Sequence, residues 1–144
     1  MKPSSQQFEG VAAHYSRAGL EAEIMAALVA AGKDPDNLKP EDLAPFDEFH
    51  IRGRKATLDL AREICPGEGW QVLDVGSGLG GPSRCLALEF GCRVTGIDLC
   101  AEYCRVARML ARRLGLDSRV SYLHGNALDM PFEDASFDLL WTQH

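Results

Sequence analysis

Val72-Leu73-Asp74-Val75-Gly76-Ser77-Gly78-Leu79-Gly80-Gly81 decides the fold of this chain. The run from Trp70 to Val75 is short and mostly apolar, as a buried strand is. It breaks into glycine, and the segment from Pro82 to Phe90 then reads as a helix. Pro82 suits a first helical position, where its missing N–H costs nothing. Glycine lets the backbone turn sharply and lets a ligand approach main-chain atoms closely. The helix N-terminus adds positive potential. A strand, a glycine turn and a helix in that order suit a nucleoside-bearing ligand with a polar or anionic tail.

Downstream the pattern repeats. Cys92 to Ile97 reads as a second strand, Arg119 to His124 as a third and Phe137 to Thr142 as a fourth. Between the second and third, Ala101 to Leu114 is the clearest helix, with Tyr103, Val106, Ala107, Leu110 and Leu114 on one face. Gly115 caps it, and Arg112 and Arg113 favour its negative end. Strands alternating with helices at this spacing predict an α/β fold: a Rossmann-like, doubly wound parallel sheet with right-handed crossovers.

Upstream the texture is helical. Residues 1–66 contain no strand pattern and are expected to form a segment distinct from 67–144. Leu20, Ile24, Leu28 and Ala31 form one helical stripe. Gly32 stands where a left-handed cap belongs, and Pro35 prevents continuation. Asp34 to Asp47 holds three prolines and many acids and reads as a loop with one short turn. A second helix is expected from Arg54 to Cys65, with Leu58, Ala61 and Ile64 inward, ended by Pro66-Gly67.

Composition narrows the function classes. The 144 residues suffice for one core, and 46% hydrophobic with 25% charged residues is an ordinary globular balance. A net charge of −6 argues against a phosphate-backbone partner, so no nucleic acid is expected. No apolar run reaches the length that spans a bilayer, and Met1 to Gln7 lacks the apolar core of a signal peptide. A cytoplasmic protein is expected. The five cysteines, Cys65, Cys85, Cys92, Cys100 and Cys104, include no C-x-x-C pair. They argue against a disulfide framework or zinc site, and no metal is expected.

The glycine loop alone is ambiguous, because Gly76-x-Gly78-x-x-Gly81 also fits a dinucleotide-binding turn. Asp98 ends the second strand, 20 residues past Gly78. Its carboxylate can accept hydrogen bonds from both hydroxyls of a ribose, or it can cap the next helix. Leu99 beside it could pack on an adenine face. After the third strand comes Gly125-Asn126-Ala127-Leu128-Asp129-Met130-Pro131-Phe132. Asn126 could bond a base there, with the Ala127 amide alongside, or be a plain loop residue.

Taken in order, these motifs resemble the class I methyltransferases that depend on S-adenosylmethionine. Val72 to Gly81 looks like that family's first motif, D-x-G-x-G-x-G, and Gly96-Ile97-Asp98 like its second. Gly125 to Phe132 and Ser136 to Trp141 look like the third and fourth. The resemblance covers residues 70–144. It implies that Asp74 supports the methionine end and that Gly76, Ser77, Gly78 and Gly80 lie beneath it. Asp98 and Leu99 would hold the ribose and flank the base, with Asn126 and Ala127 bordering the adenine.

Gly80-Gly81-Pro82, with Asp47-Glu48-Phe49-His50-Ile51-Arg52-Gly53 upstream, is most similar to the type 11 small-molecule methyltransferases. These stand near the sarcosine, phosphoethanolamine, tocopherol and sterol enzymes. On that likeness residues 1–66 are a helical lid, and Tyr15 and His50 touch cofactor or substrate; packing and loop roles remain open for both. Gln143 is a candidate cofactor contact. His144, at the carboxyl end of strand four, is a weak candidate base or substrate contact. The family's sheet has seven strands ordered 3-2-1-4-5-7-6, of which 3-2-1-4 are visible here. The chain is therefore expected to stop short of the full fold, leaving the fourth strand as an edge able to self-associate.

The implied reaction moves a methyl group from S-adenosylmethionine to a small molecule by direct displacement, leaving S-adenosylhomocysteine. Alignment of the reacting atoms is the protein's main task. Two other readings stand beside it: a non-catalytic cofactor-binding or assembly module, and a nicotinamide-dependent oxidoreductase. Asp74, two residues before the first glycine, and Asn126-Ala127 speak against the oxidoreductase.

Overall fold

The computed structural model describes residues 19–47 and 53–143. Four strands run parallel: β1 (Gln71–Val75), β2 (Arg93–Asp98), β3 (Val120–His124) and β4 (Leu139–Thr142). Their order is β3-β2-β1-β4, as the motif order implied. Helix α4 (Gly81–Phe90) connects β1 to β2, and α5 (Ala101–Arg113) connects β2 to β3. Before the sheet come α1 (Gly19–Ala30), a 3-10 turn at Pro40–Leu43, the single-turn α2 (Ala44–Asp47) and α3 (Gly53–Ile64).

The central strand explains the sheet. Val72, Leu73 and Asp74 of β1 are all buried, so a polar carboxylate sits inside the sheet. Asp74 pairs in register with Gly96 of β2 and Trp141 of β4. The sheet core gathers Val72, Leu86, Val94, Ala107, Val120, Tyr122 and Trp141. On β3, Tyr122 is buried beside the side-chain-free Gly96, its register partner. A glycine inside a strand commonly marks such a close approach.

The N-terminal elements form a second core with α5. Ile24 and Leu28 of α1, with Leu38 and Leu43, cluster with Val106 and Leu110 of α5 and with Leu79. Polar links join the two parts: Arg105 of α5 to Glu21 of α1 (3.2 Å), and Arg54 of α3 to Glu89 of α4 (2.8 Å). Arg113 also donates to the Pro35 carbonyl (2.8 Å).

Several local expectations need correction. Asp34 to Asp47 is more ordered than a loop: it buries Leu38 and Leu43. Its 3-10 turn is held by the Lys39 N–H on the Asp42 carboxylate (2.9 Å), a bond that keeps the Asp42 carboxyl below its ordinary range. Ala31 lies past the end of α1 and is exposed. The inward face of α3 is Thr57 and Ala61, while Ile64 is exposed, because a hydroxyl that finds a partner can replace an apolar residue in the core. Strand β4 starts two residues later than expected, since Phe137 instead stacks edge-on against Phe132 (5.0 Å). Among the described residues no helix is long and apolar enough to cross a membrane.

Candidate functional site

Parallel strands place their ligands at the carboxyl ends, where the strand order reverses. Here that point lies between β1 and β4. An open groove of about 260 Å³ runs along it, lined by Val75, Gly76, Ile97, Asp98, Leu99, Gly125, Ala127 and Thr142. It therefore collects Gly76, the adjacent pair Asp98 and Leu99, and Ala127 from three separate stretches of sequence.

The glycine loop forms the groove's near wall. Gly76, Gly78 and Gly80 all have left-handed backbone, with φ of +72°, +56° and +86°. A side chain at Gly76 or Gly78 would meet open space, so the main chain there is available to a ligand. At Gly80 the reason for glycine is different: a methyl group would collide with the Tyr122 hydroxyl. That hydroxyl donates to the Gly80 carbonyl (3.2 Å).

Asp98 does two things at once. Its Oδ1 accepts the Cys100 N–H (2.9 Å) at the start of α5, and its Oδ2 accepts the Gly78 N–H (2.9 Å). The N-cap of α5 is Cys100 and carries no side-chain cap, so Asp98 does not cap the helix as one sequence reading allowed; it fixes the turn ahead of it, while each carboxylate oxygen keeps a further lone pair toward the groove. Leu99 is 70% exposed at the groove, a large apolar surface that a flat ring can cover.

Asp74 and Ser77 lie deeper. The Ser83 hydroxyl of α4 donates to Asp74 Oδ2 (2.5 Å). Burial pushes the Asp74 carboxyl up to about 7; the Ser83 bond pulls it down and the Asp98 charge adds to the rise. The Ser77 Oγ is buried and has no hydrogen-bond partner. Its backbone N–H, with that of Gly76, is taken by the Ile97 carbonyl (3.2 and 2.8 Å). The Ser77 backbone N–H is thus engaged within the protein, while its hydroxyl is buried and unpartnered.

Asn126 is exposed next to Ala127, and its Oδ1 accepts the Leu128 N–H (2.9 Å), which shapes the turn. Gln143 is engaged elsewhere. Its Oε1 accepts from Thr57 Oγ1 of α3 (3.0 Å) and from the Trp141 indole (3.2 Å), tying β4 to the N-terminal helices. Tyr15, His50 and His144 lie outside the described residues. Ser83, Tyr122 and Thr142 were not singled out from the sequence; for Tyr122 the readable signal was Gly96 in the neighbouring strand. Among the described residues no cluster of His, Cys, Asp or Glu is arranged to hold a metal, and none of the five cysteines is in a disulfide.

A larger open groove of about 410 Å³ lies beside β4. It is lined by Leu128, Met130, Phe132, Phe137 and Leu140 among others, and carries none of the glycine-loop groups.

Comparison with known proteins agrees with this geometry. Tocopherol O-methyltransferase of Arabidopsis thaliana, a chloroplastic protein, is 35% identical over 139 residues, covering 93% of this chain and 40% of that protein. Phosphoethanolamine N-methyltransferase 2 of Haemonchus contortus, solved with S-adenosyl-L-methionine, is 32% identical with a TM-score of 0.61. That match covers 67% of this chain and 23% of the other. The [4+2]-cyclase SpnF has the same fold at 31% identity and a TM-score of 0.59, over 61% of this chain and 33% of its own. The chain spans less than half the length of the curated relatives it matches. The family model described as a methyltransferase domain matches residues 72–144, from the second residue of β1 to two residues past β4. That match displaces the oxidoreductase reading of the glycine loop, and with it the chain is placed: it belongs to the methyltransferase-domain family.

Proposed function

We propose that this chain carries the cofactor-binding half of an S-adenosylmethionine-dependent methyltransferase acting on a small molecule. One observation carries the reading: the Asp98 carboxylate stands at the end of β2, fixed by the Gly78 N–H, in a groove with bare glycine backbone on one side and exposed Leu99 on the other. A ribose needs a fixed acceptor for its hydroxyls, and an adenine needs an apolar face. The open space above Gly76 and Gly78 admits a chain that a side chain there would exclude.

In this reading Asp98 holds the ribose, Leu99 and Ala127 flank the adenine, and the Asn126 amide hydrogens remain to meet the base. The main chain of Gly76 and Gly78 lies along the amino-acid tail. Asp74 acts from below on the positive amino end, with Ser83 orienting its carboxylate. Ser77 and Gly80 shape the loop, and Gln143 positions β4. S-adenosylmethionine supplies a methyl group on a positively charged sulfur, open to displacement. The protein's contribution is to fix the donor and to exclude water. The segment 1–66, with Tyr15 and His50, serves as the lid over 67–144. The acceptor is a small metabolite, in keeping with relatives named for tocopherol and sarcosine.

Calorimetric titration of the chain with S-adenosylhomocysteine tests this. Binding is expected for the wild type, and Asp98→Ala is expected to weaken it by roughly 10- to 100-fold, the worth of hydrogen bonds to a charged group. No heat at millimolar ligand, or an unchanged affinity in Asp98→Ala, would refute the reading. A second reading, cofactor binding without methyl transfer, is favoured by the cyclase neighbour of the same fold. Transfer of a labelled methyl group to a small acceptor separates the two.

A further inference from the structure

The glycine loop is a hinge of permissive residues with one side chain that grips anything. Between Gly78 and Gly80, both in left-handed conformation, stands Leu79, only 3% exposed. It does not join the sheet core. It belongs to the cluster formed by Ile24 and Leu28 of α1, by Leu43, and by Val106 and Leu110 of α5. The loop's single apolar anchor is thus sunk in the cluster that the N-terminal elements share with α5.

Its backbone is held as firmly. Arg84, itself 2% exposed, donates through Nη1 to the Leu79 carbonyl (2.7 Å). The Tyr122 hydroxyl and the Arg84 N–H both reach the next carbonyl, that of Gly80 (3.2 and 3.0 Å). The Leu79 and Gly80 carbonyls are therefore occupied by protein donors. Immediately before Leu79, the Gly78 N–H meets Asp98 Oδ2. The cluster of α1 and α5 residues is thus joined, through the Leu79 side chain and the adjoining Gly78 amide, to Asp98.

We infer that Leu79 is a positioning residue: docking of the N-terminal helices on its side chain sets the Gly78–Asp98 pair, and so sets cofactor affinity without touching the cofactor. Glycine on either side makes this necessary, since those residues supply no stiffness of their own. Coupling between two sites is reciprocal in free energy. Cofactor binding at Asp98 therefore tightens the seating of α1. The affinity part of this inference rests on the function proposed above; the mechanical part does not.

The test uses the full 144-residue chain and two substitutions, Leu79→Ala and Leu43→Ala. Leu43 is wholly buried in the same cluster but lies outside the loop. It keeps the test open should Leu79→Ala fail to fold. Amide exchange is followed by NMR without ligand. Gly78 is expected to exchange roughly tenfold faster in both variants, while amides of the β1–β2 ladder stay protected. Titration with S-adenosylhomocysteine should then show roughly tenfold weaker binding in both, with Leu79→Met restoring affinity to within about threefold. Unchanged Gly78 exchange in a folded variant would overturn the inference. Equal acceleration across the β1–β2 ladder would overturn it too, since that marks a merely global loss of stability. If Gly78 responds as expected but the wild type takes up no S-adenosylhomocysteine, the coupling stands and the cofactor reading falls.

Discussion

Two regions of this molecule use the same kinds of residue for opposite ends. In residues 71–98, glycines, a buried carboxylate and buried serines crowd around one loop, where Gly80 and Gly96 are confined by their neighbours and Gly76 and Gly78 face open space. In residues 19–64, a glycine closes a helix into open space, the charged side chains form pairs at the surface, and a buried threonine is fully engaged. The first region is constrained because its backbone must face a ligand. The second is constrained by the need to pack on α4, α5, Leu79 and the end of β4. Substituting like for like in the two regions separates these demands.

Glycine gives the largest contrast. Gly80 and Gly32 have nearly the same backbone, with φ of +86° and +78°. At Gly32 an added methyl group meets nothing within 4 Å. Gly32→Ala should cost only the left-handed strain of an L-residue, about 1–2 kcal/mol. At Gly80 the same methyl collides with the Tyr122 hydroxyl inside the core. Overpacking there adds to the strain, so Gly80→Ala should cost about 4 kcal/mol or prevent folding. Urea unfolding of both variants measures the gap. Equal costs would mean that Tyr122 yields easily and that the loop is less confined than its surroundings suggest.

This difference also accounts for what could be read from the sequence. The parallel sheet and the glycine loop were legible because both follow from local pattern: short apolar strands, helices of regular period, glycine between them; the strand order came from the family resemblance. Asp98, Leu99 and Ala127 were legible as groove residues because they fall at strand ends, which the topology brings together. The partners that fix the loop were not. Tyr122 sits at an ordinary apolar strand position, and only its pairing beside Gly96 gives it work to do. Leu79 occupies a variable position in the motif, and nothing local says that its side chain enters the N-terminal cluster. Gln143 looked like a ligand contact because it ends β4, yet Thr57 and the Trp141 indole claim its carbonyl oxygen. Tertiary partners of that kind have no sequence period.

Charge gives the next contrast. The Asp74 carboxyl, raised to about 7 by burial, holds its proton more tightly in the folded chain than in the unfolded one, where the ordinary value is near 4. More protons on the folded state means that stability falls as pH rises from about 4 to about 7, then levels off. The full shift corresponds to roughly 4 kcal/mol. Asp74→Asn removes the charge but buries an amide donor that needs a partner, which returns part of the gain. The variant should be more stable than wild type by about 2 kcal/mol near pH 8, with the difference shrinking toward pH 4. It should also bind S-adenosylhomocysteine more weakly if Asp74 meets the amino end of the ligand. Urea midpoints across pH decide the first point. A variant whose stability tracks that of the wild type at every pH would show that Asp74 does not titrate in this range. In the N-terminal region Asp42 has the opposite sign. Its carboxyl is lowered, chiefly by the Lys39 backbone bond, so its contribution is present above the ordinary carboxylate range and is lost on acidification.

Hydroxyl groups give the smallest contrast, and the one most directly tied to the site. Ser77 in the loop and Thr57 in α3 are both buried. Thr57 donates to Gln143, whereas Ser77 Oγ has no partner. Removing a partnered buried hydroxyl costs about 1 kcal/mol, here leaving Gln143 Oε1 with the Trp141 indole; removing an unpartnered one relieves a desolvation penalty of similar size. Thr57→Val should therefore lower stability by about 1 kcal/mol, and Ser77→Ala should leave it unchanged or raise it by up to about 1 kcal/mol. Thermal unfolding at one pH suffices to compare them. The two signs carry different messages. If Ser77→Ala is stabilising and S-adenosylhomocysteine still binds as to wild type, the hydroxyl is no part of the cofactor site, and the loop contributes there through its backbone alone. If it destabilises, Ser77 has a partner in solution, and the space between the loop and Gly96, where an added methyl would lie 2.7 Å from Ser77 Oγ, is where that partner must be sought.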